Sequence, residues 1–453
     1  MKKVYFILFA VMSLSSVSAR DNVIDTKFRR SSLYTLKLDI PKSKEVYDDA
    51  IRIMNATYDT LSTPDAYNNF NLTQRHINYP SLKDVSKEEI AKYSKSGKAG
   101  GGFARFAKGM AGDLVSSAGV EINTDVVTEE EYVAKIMNWF NDNDIAKQLV
   151  AKWHNKKGTS TAKLDCDDNL EVLTDLGLVG LSEEDKDIIL QAGGSLASAA
   201  KDNEVDVIGN TYVIVNRFAF VSGDELFKDI SAPIMAQIQG ANALIALGLQ
   251  KTLDAMRKKY ANGYYVRAYA YLFQLQYGEE EFSDFNTNYW NNPTAFQNAK
   301  YTLNYLGKSS GFAHADKTND GHVVSVALRR AMDKCYADLQ HDNPQFRPMA
   351  ALHTSDDGSS LFAYVGAKEG VTEKSQFDVF EARADKNGKL TYQKIGSLKV
   401  ASGQVWDNRV NAKEFGASDD SEKAGKSNAN LQYTTFQGKP GKFGDGHLIR
   451  LAK

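Results

Sequence analysis

Between Val205 and Tyr277 the apolar and aromatic positions fall into three blocks, and the rest of the chain arranges itself around them. Val207 to Val221 is a β-branched and aromatic run, with Gly209-Asn210 as a turn signal inside it, and Tyr264 to Tyr277 repeats the theme. Set side by side, Tyr212, Ile214, Asn216, Phe218 and Phe220 match Tyr265, Arg267, Tyr269, Tyr271 and Phe273 as the bulky face of each strand. The opposite faces are smaller, with Arg217 the exception. Each strand leaves through a similar acidic stretch, Gly223 to Ile230 and Gly278 to Phe285, so residues 205–230 and 264–285 read either as a duplicated unit or as a chance likeness.

Pro233 to Tyr260 carries Ile234, Ile238, Ile245, Leu249, Leu253 and Met256 at helical spacing, with proline suited to a first turn. The expectation is a β-α-β unit in which the helix covers the bulky strand face. Ser231 to Gln250 has no charge over 20 residues, but Gln237, Gln239, Asn242 and Gln250 interrupt it, which favours a buried helix over a membrane span. Asn216 and Arg267 are then polar side chains on an apolar face, to be hydrogen-bonded as anchors or to bind a ligand.

Upstream, Ser32 to Ile40 alternates as a strand and Lys44 to Leu61 reads as a helix, followed by a loop from Asn68 to Pro80. Lys95 to Gly119 is glycine-rich and basic, then small and apolar, a loop followed by a closely packed helix or a piece that touches a membrane or partner. Helices follow over Glu129 to Trp153, with an acidic first turn, over Asp168 to Leu178, and from Ser182 to about Lys201. Downstream, Pro293 to Leu306 and His322 to Gln340 read as helices, the latter with Val324, Ala327, Leu328, Ala331 and Cys335 inward. From about Ala350 the texture changes to short strands: Leu361 to Val365, Phe377 to Ala384, Leu390 to Lys394, Gly396 to Val400 and His447 to Leu451, with a turn at Asp385 to Gly388 and a polar insertion at 418–430. The expected fold is α+β, a large mixed helical and sheet domain over 20–346 followed by a small all-β barrel- or sandwich-like domain over 350–453.

Charge is balanced, 55 Lys plus Arg against 57 Asp plus Glu, which argues against nucleic acid as a partner. Met1-Lys2-Lys3, the apolar run Val4 to Leu14 and Val17-Ser18-Ala19 read as a bacterial signal peptide over 1–19, which places the product in the periplasm, at the outer membrane or outside the cell. No integral membrane span is expected in the remainder. In that setting Cys166 and Cys335 can pair as a disulfide or remain buried thiols, and the sequons at Asn55 and Asn71 carry little weight.

Chemistry-bearing patterns are sparse. Gly307-Lys308-Ser309-Ser310-Gly311 matches a nucleophile-elbow spacing, with His314, His322, His341 and His353 downstream, but the expected strand and helix do not flank it. Asp316 to Gly321 starts like a calcium loop but has Ala327 where the twelfth-position glutamate belongs. The acidic run Asp165 to Asp168 suits a helix start, no histidine spacing fits a zinc site, and no cofactor is implied. Trp406-Asp407-Asn408-Arg409 at a strand end is a candidate ligand patch, and Trp290 is a second candidate aromatic contact. Asn216, Arg267, Trp290, Trp406 and Arg409 are therefore the candidate binding residues, with no catalytic residue and no metal assigned. The expected function is a non-catalytic binding or assembly protein of the bacterial envelope, whose partner is an envelope protein. Glycan binding and a serine-type hydrolase around Ser309 are the alternatives.

Overall fold

A computed structural model describes residues 23–25, 32–39, 48–61, 72, 74–93, 128–154, 183–290, 292–316, 323–347, 349–384, 390–409, 427–438 and 440–452. The segments at 1–19 and 95–119, the helix over 168–178 and most of the insertion at 418–430 lie outside the described residues.

In chain order the first part comprises β1 (Val23–Asp25), β2 (Ser32–Leu38), α1 (Asp48–Asp59), β3 (His76–Ile77), α2 (Lys87–Ala91), α3 (Glu129–Asp142), α4 (Ile145–His154), α5 (Glu183–Gln191) and α6 (Leu196–Gly209). It continues through β4 (Thr211–Ser222), α7 (Gly223–Gly240), α8 (Ala243–Tyr260), β5 (Tyr264–Leu275), α9 (Glu279–Asp284), α10 (Pro293–Phe296), β6 (Leu303–Ala315) and α11 (Val323–Asp342). Five strands form a mixed sheet in the order β3-β2-β4-β5-β6, with β2 parallel to both its neighbours and β4, β5 and β6 antiparallel. Both faces are covered. Side chains of α1 and α11 pack on one, and those of α3 and α4 on the other.

That enclosure explains β2, which is buried along its whole length instead of on alternate residues. Even Lys37 is buried, and its ammonium is held by Asp39 at 3.0 Å and Asn55 at 2.6 Å.

The β-α-β expectation is corrected. β4 and β5 run antiparallel, Tyr212 opposite Gln274 and Phe218 opposite Ala268, so the connection between them needs no crossover. The register also sets the bulky face of one strand against the small face of the other. Tyr212, Ile214 and Phe218 share a face with Val266, Ala268, Ala270 and Leu272, while Val213 and Val215 lie with Tyr269, Tyr271 and Phe273. Large residues thus fill the space that small neighbours leave, as dense packing requires.

The single buried helix expected from Pro233 to Tyr260 is instead a two-helix hairpin. Ser222 caps α7 by accepting from the Glu225 N–H at 3.2 Å, so Asp224 and Glu225 form its first turn and Pro233 lies inside it. At Ala241 the backbone is extended, and Asn242 caps α8 by accepting from the Ile245 N–H at 3.0 Å. The hairpin meets the sheet only at its end, where Val221 and Tyr265 join Leu226, Phe227, Leu253 and Met256.

Local signals were overridden elsewhere too. The helix expected over 129–153 is broken at Asp144, which adopts a left-handed conformation with φ of 51°. Helix α6 runs on to Gly209, so Gly209-Asn210 ends a helix and is not a turn within a strand. Only Pro293–Phe296 of the helix expected over 293–306 is helical; a turn and irregular backbone follow, and from Leu303 the chain is β6. The elbow-like glycines are therefore strand residues. A Cβ on Gly311 would run into the Ala331 carbonyl oxygen, so this glycine lets α11 rest directly on the sheet. The expected inward set of α11, from Val324 to Cys335, is buried as read.

After α11 come β7 (Met349–Ala351), β8 (His353–Thr354), β9 (Leu361–Ala363), β10 (Gln376–Ala384), β11 (Leu390–Lys399), β12 (Val405–Trp406), β13 (Ser427–Asn428), β14 (Thr434–Phe436) and β15 (His447–Leu451). The sheets are β1-β11-β10-β15-β7, β14-β9-β8 and β12-β13. The two strands expected over 390–400 are one, β11, with a register shift opposite Val379 and Phe380. The fold is mixed α+β, and no closed barrel occurs among the described residues. No described helix is long and apolar enough to cross a membrane.

Candidate functional site

The polar candidates of the central sheet do not converge. Asn216 is buried against α1 and α11, donating to the Leu36 carbonyl and the Tyr58 hydroxyl, each at 3.3 Å, and accepting from the Tyr336 hydroxyl at 3.1 Å. All of its bonding goes to β2, α1 and α11, which makes it a tie between sheet and helices. Arg267 alternates with Val266 and Ala268 and so points to the other face, its guanidinium 5.5 Å from the Tyr269 ring.

That other face holds a cluster the sequence did not disclose. Glu129, in the acidic first turn expected for this helix, is buried. It accepts from the Arg217 guanidinium and from the Tyr271 hydroxyl, each at 2.5 Å, and Arg217 Nε donates to Tyr271 at 3.2 Å. The guanidinium is flanked by the rings of Tyr269 and Tyr132, at 3.9 and 4.3 Å. Burial pushes the Tyr271 hydroxyl well above its ordinary range. Burial alone would lower Arg217, but Tyr271 and Glu129 beside it raise it instead. Lys308 pairs with Glu130 at 2.7 Å next door.

A second buried pair joins α4 to α6. His154 Nδ1 and Glu204 Oε1 face each other at 4.0 Å, and neither atom has a hydrogen-bond partner among the described residues. The other ring nitrogen of His154 lies 3.1 Å from the Tyr277 hydroxyl. Phe285, at the start of a π-helical turn over Phe285–Tyr289, stacks on the imidazole at 3.8 Å, and Trp290 meets it edge-on at 6.3 Å. Burial lowers His154 to about 3 and raises Glu204 to about 7, so burial favours the uncharged form of each group. Trp290 is thus placed against this core and not on an open face.

Ser309 lies in mid-strand opposite Ala270. His314 is five residues further along β6, about 16 Å away and on the other face, where it stacks on Tyr265 at 4.2 Å and bonds the Asn262 carbonyl at 3.0 Å. Among the described residues no histidine hydrogen-bonds Ser309. Its near neighbour is Cys335, a buried free thiol pushed up to about 12 by burial. Cys166 and His322 lie outside the described residues, as do Asp165 and Asp168. Among the described residues no group of three or more His, Cys, Asp or Glu is placed to hold a metal ion.

An open arrangement exists on the C-terminal strands. Along β9 the alternation puts Leu361 and Ala363 inward and leaves Phe362 and then Tyr364 outward, the latter 61% exposed. His353 of β8 stacks on Phe362 at 5.3 Å. Tyr433, just before β14, lies 4.3 Å from Phe362 and 6.3 Å from Tyr364, while Phe362 and Tyr364 meet edge to face at 5.7 Å. Asp445 stands 3.8 Å from the His353 ring at the rim. The loop bearing two sequence candidates is tied to the same strands, because the Trp406 N–H donates to Thr434 Oγ1 at 3.1 Å. Arg409, however, forks onto Asp407 at 2.9 and 2.7 Å and reaches Ser427, so its fork braces the loop. The outward pair Phe362 and Tyr364 was readable from period-2 alternation. His353 and Tyr433 join them only through strand pairing.

No known protein family matches the chain, and no curated protein is significantly similar to it.

Proposed function

We propose that the protein is an exported, non-catalytic binding protein of the bacterial cell envelope, and that the cluster of His353, Phe362, Tyr364 and Tyr433 is its ligand surface. The observation that carries this reading is the exposure of Tyr364 within a preassembled group of rings. Aromatic side chains offer large contact area at small entropic cost, and a cluster already packed against itself loses little freedom on binding. The leader-like sequence at 1–19 supports export. A C-terminal binding module, sandwich-like in form and joined by β1 at the edge of its larger sheet, is supported by Leu361, Ala363 and Phe436 of one sheet sharing a core with Phe377, Val379 and Ile449 of the other.

The ligand class we favour is a glycan, since ring faces with hydroxyl and imidazole groups at the rim suit a sugar's apolar face and its hydroxyls. Glycan-array binding of the protein, compared with Tyr364→Ala and Tyr433→Ala, tests this. Each substitution is expected to weaken binding by about tenfold or more, while Trp290→Ala lowers stability instead. Undiminished glycan binding by both tyrosine variants overturns the assignment of the surface. Recovery of a crosslinked envelope protein in place of any glycan, lost with the same substitutions, replaces the glycan with a protein partner.

A further inference from the structure

The helical hairpin between β4 and β5 ends in a tip whose apolar side chains, beside Gln239 and Asn242, no other described residue covers. Leu244 is 83% exposed, Ile245 53% and Leu247 56%. At 100° per residue on a helix, these three side chains leave α8 in directions spread over about 160°, and Met235 of α7 adds another exposed apolar side chain. A flat protein partner covers one side of a helix. A fan of apolar side chains around a projecting end fits immersion.

Depth agrees with that reading. No charge occurs from Ser231 to Gln250, and the first on α8 is Lys251, seven residues below Leu244, or about 10 Å along the axis. On α7 the nearest is Asp229, about 16 Å below Gly240. An interfacial helix sinks ~5–10 Å into the boundary between headgroups and acyl chains, so the tip can enter to that depth without burying a charge. Exposed cations then stand at headgroup level and below it, Lys251, Arg257 and Lys258 on α8 and Lys228 on α7, interspersed with Asp254 and Asp229 and, at the base of α7, Asp224 and Glu225. The hairpin is anchored at its base, where Phe227, Leu253, Met256 and Tyr260 are buried, so the tip is presented on a fixed stem.

We propose that the α7–α8 tip inserts into the surface layer of a lipid bilayer, holding the protein on a membrane without spanning it. The test is flotation with vesicles of phosphatidylethanolamine and phosphatidylglycerol. The protein is expected to float with the vesicles, and the Leu244→Glu/Leu247→Glu variant to remain at the bottom with unchanged thermal unfolding, since both sites are solvent-exposed. A Leu244→Trp variant adds a direct reading, namely a blue shift on vesicle addition and quenching by acyl-chain-brominated lipid, neither shown by the parent protein. Equal flotation of parent and double variant overturns the proposal, as does an unshifted emission from the tryptophan that this variant adds. Absence of flotation overturns it too, and a dimer that the double variant dissociates then assigns the tip to a second copy of the chain.

Discussion

The carboxylate of Glu129, in the first turn of α3, meets the Arg217 guanidinium of β4 at 2.5 Å inside the protein, with the Tyr271 hydroxyl bonded to both. Two residues 88 positions apart thereby fix the α3 end of one helical layer onto the centre of the sheet. Lone pairs and N–H groups that burial has removed from water find each other, and the flanking Tyr132 and Tyr269 rings exclude solvent from the pair.

Removing one partner leaves a buried charge unpaired, which costs more than the pair contributes. Arg217→Met or Glu129→Leu alone is expected to lower unfolding free energy by ~3–5 kcal/mol, and the double variant by clearly less than the sum. Urea denaturation of the three variants measures the coupling. Additive losses would show that the two residues act independently.

The His154–Glu204 pair has a pH signature. Glu204 rises from 4.5 in the unfolded chain to about 7 when folded, so its contribution is full below 4.5 and is lost as pH climbs through 7. His154 falls from 6.5 to about 3, so its contribution is full above 6.5 and is lost as pH drops through 3. Glu204→Gln removes only the first effect. Relative to the parent, this variant is expected to gain on the order of 2 kcal/mol between pH 4.5 and 7. Denaturation series that stay parallel across that window would contradict the raised Glu204 carboxyl.

The two glycines of the elbow-like stretch separate packing from coincidence. Gly311→Ala drives a methyl into the α11 backbone at the Ala331 carbonyl and is expected to cost about 3 kcal/mol or more. Gly307→Ala meets the end of the Asn343 side chain at 3.1 Å, and since that amide is held by the Leu339 carbonyl at 2.8 Å, a small displacement is expected to cost about 1–2 kcal/mol, less than the backbone clash at Gly311. Thermal unfolding of the two variants reads the difference. Equal effects would mean that α11 does not bear on β6 at Gly311.

Much of the architecture was visible along the chain because periodicity is a local property. The β4 and β5 runs, the inward face of α11 and the strand-rich C-terminal part all follow from spacing that neighbouring residues set. Break points were less legible. Leu303 to Ala315 carries helix-like and loop-like local signals, although pairing with β5 makes it a strand, and the helix breaks at Asp144 and Ala241 depend on backbone geometry that packing selects.

The order of residues sets where apolar side chains recur and where charge is absent, including the charge-free stretch from Ser231 to Gln250. The direction of β5 against β4, and with it which bulky residues oppose which small ones, came from long-range pairing. The tertiary structure also decided that Glu129 is buried while Tyr364 and Leu244 are exposed. Burial is a property of what comes to lie on top of a residue, and that depends on segments far away in the chain.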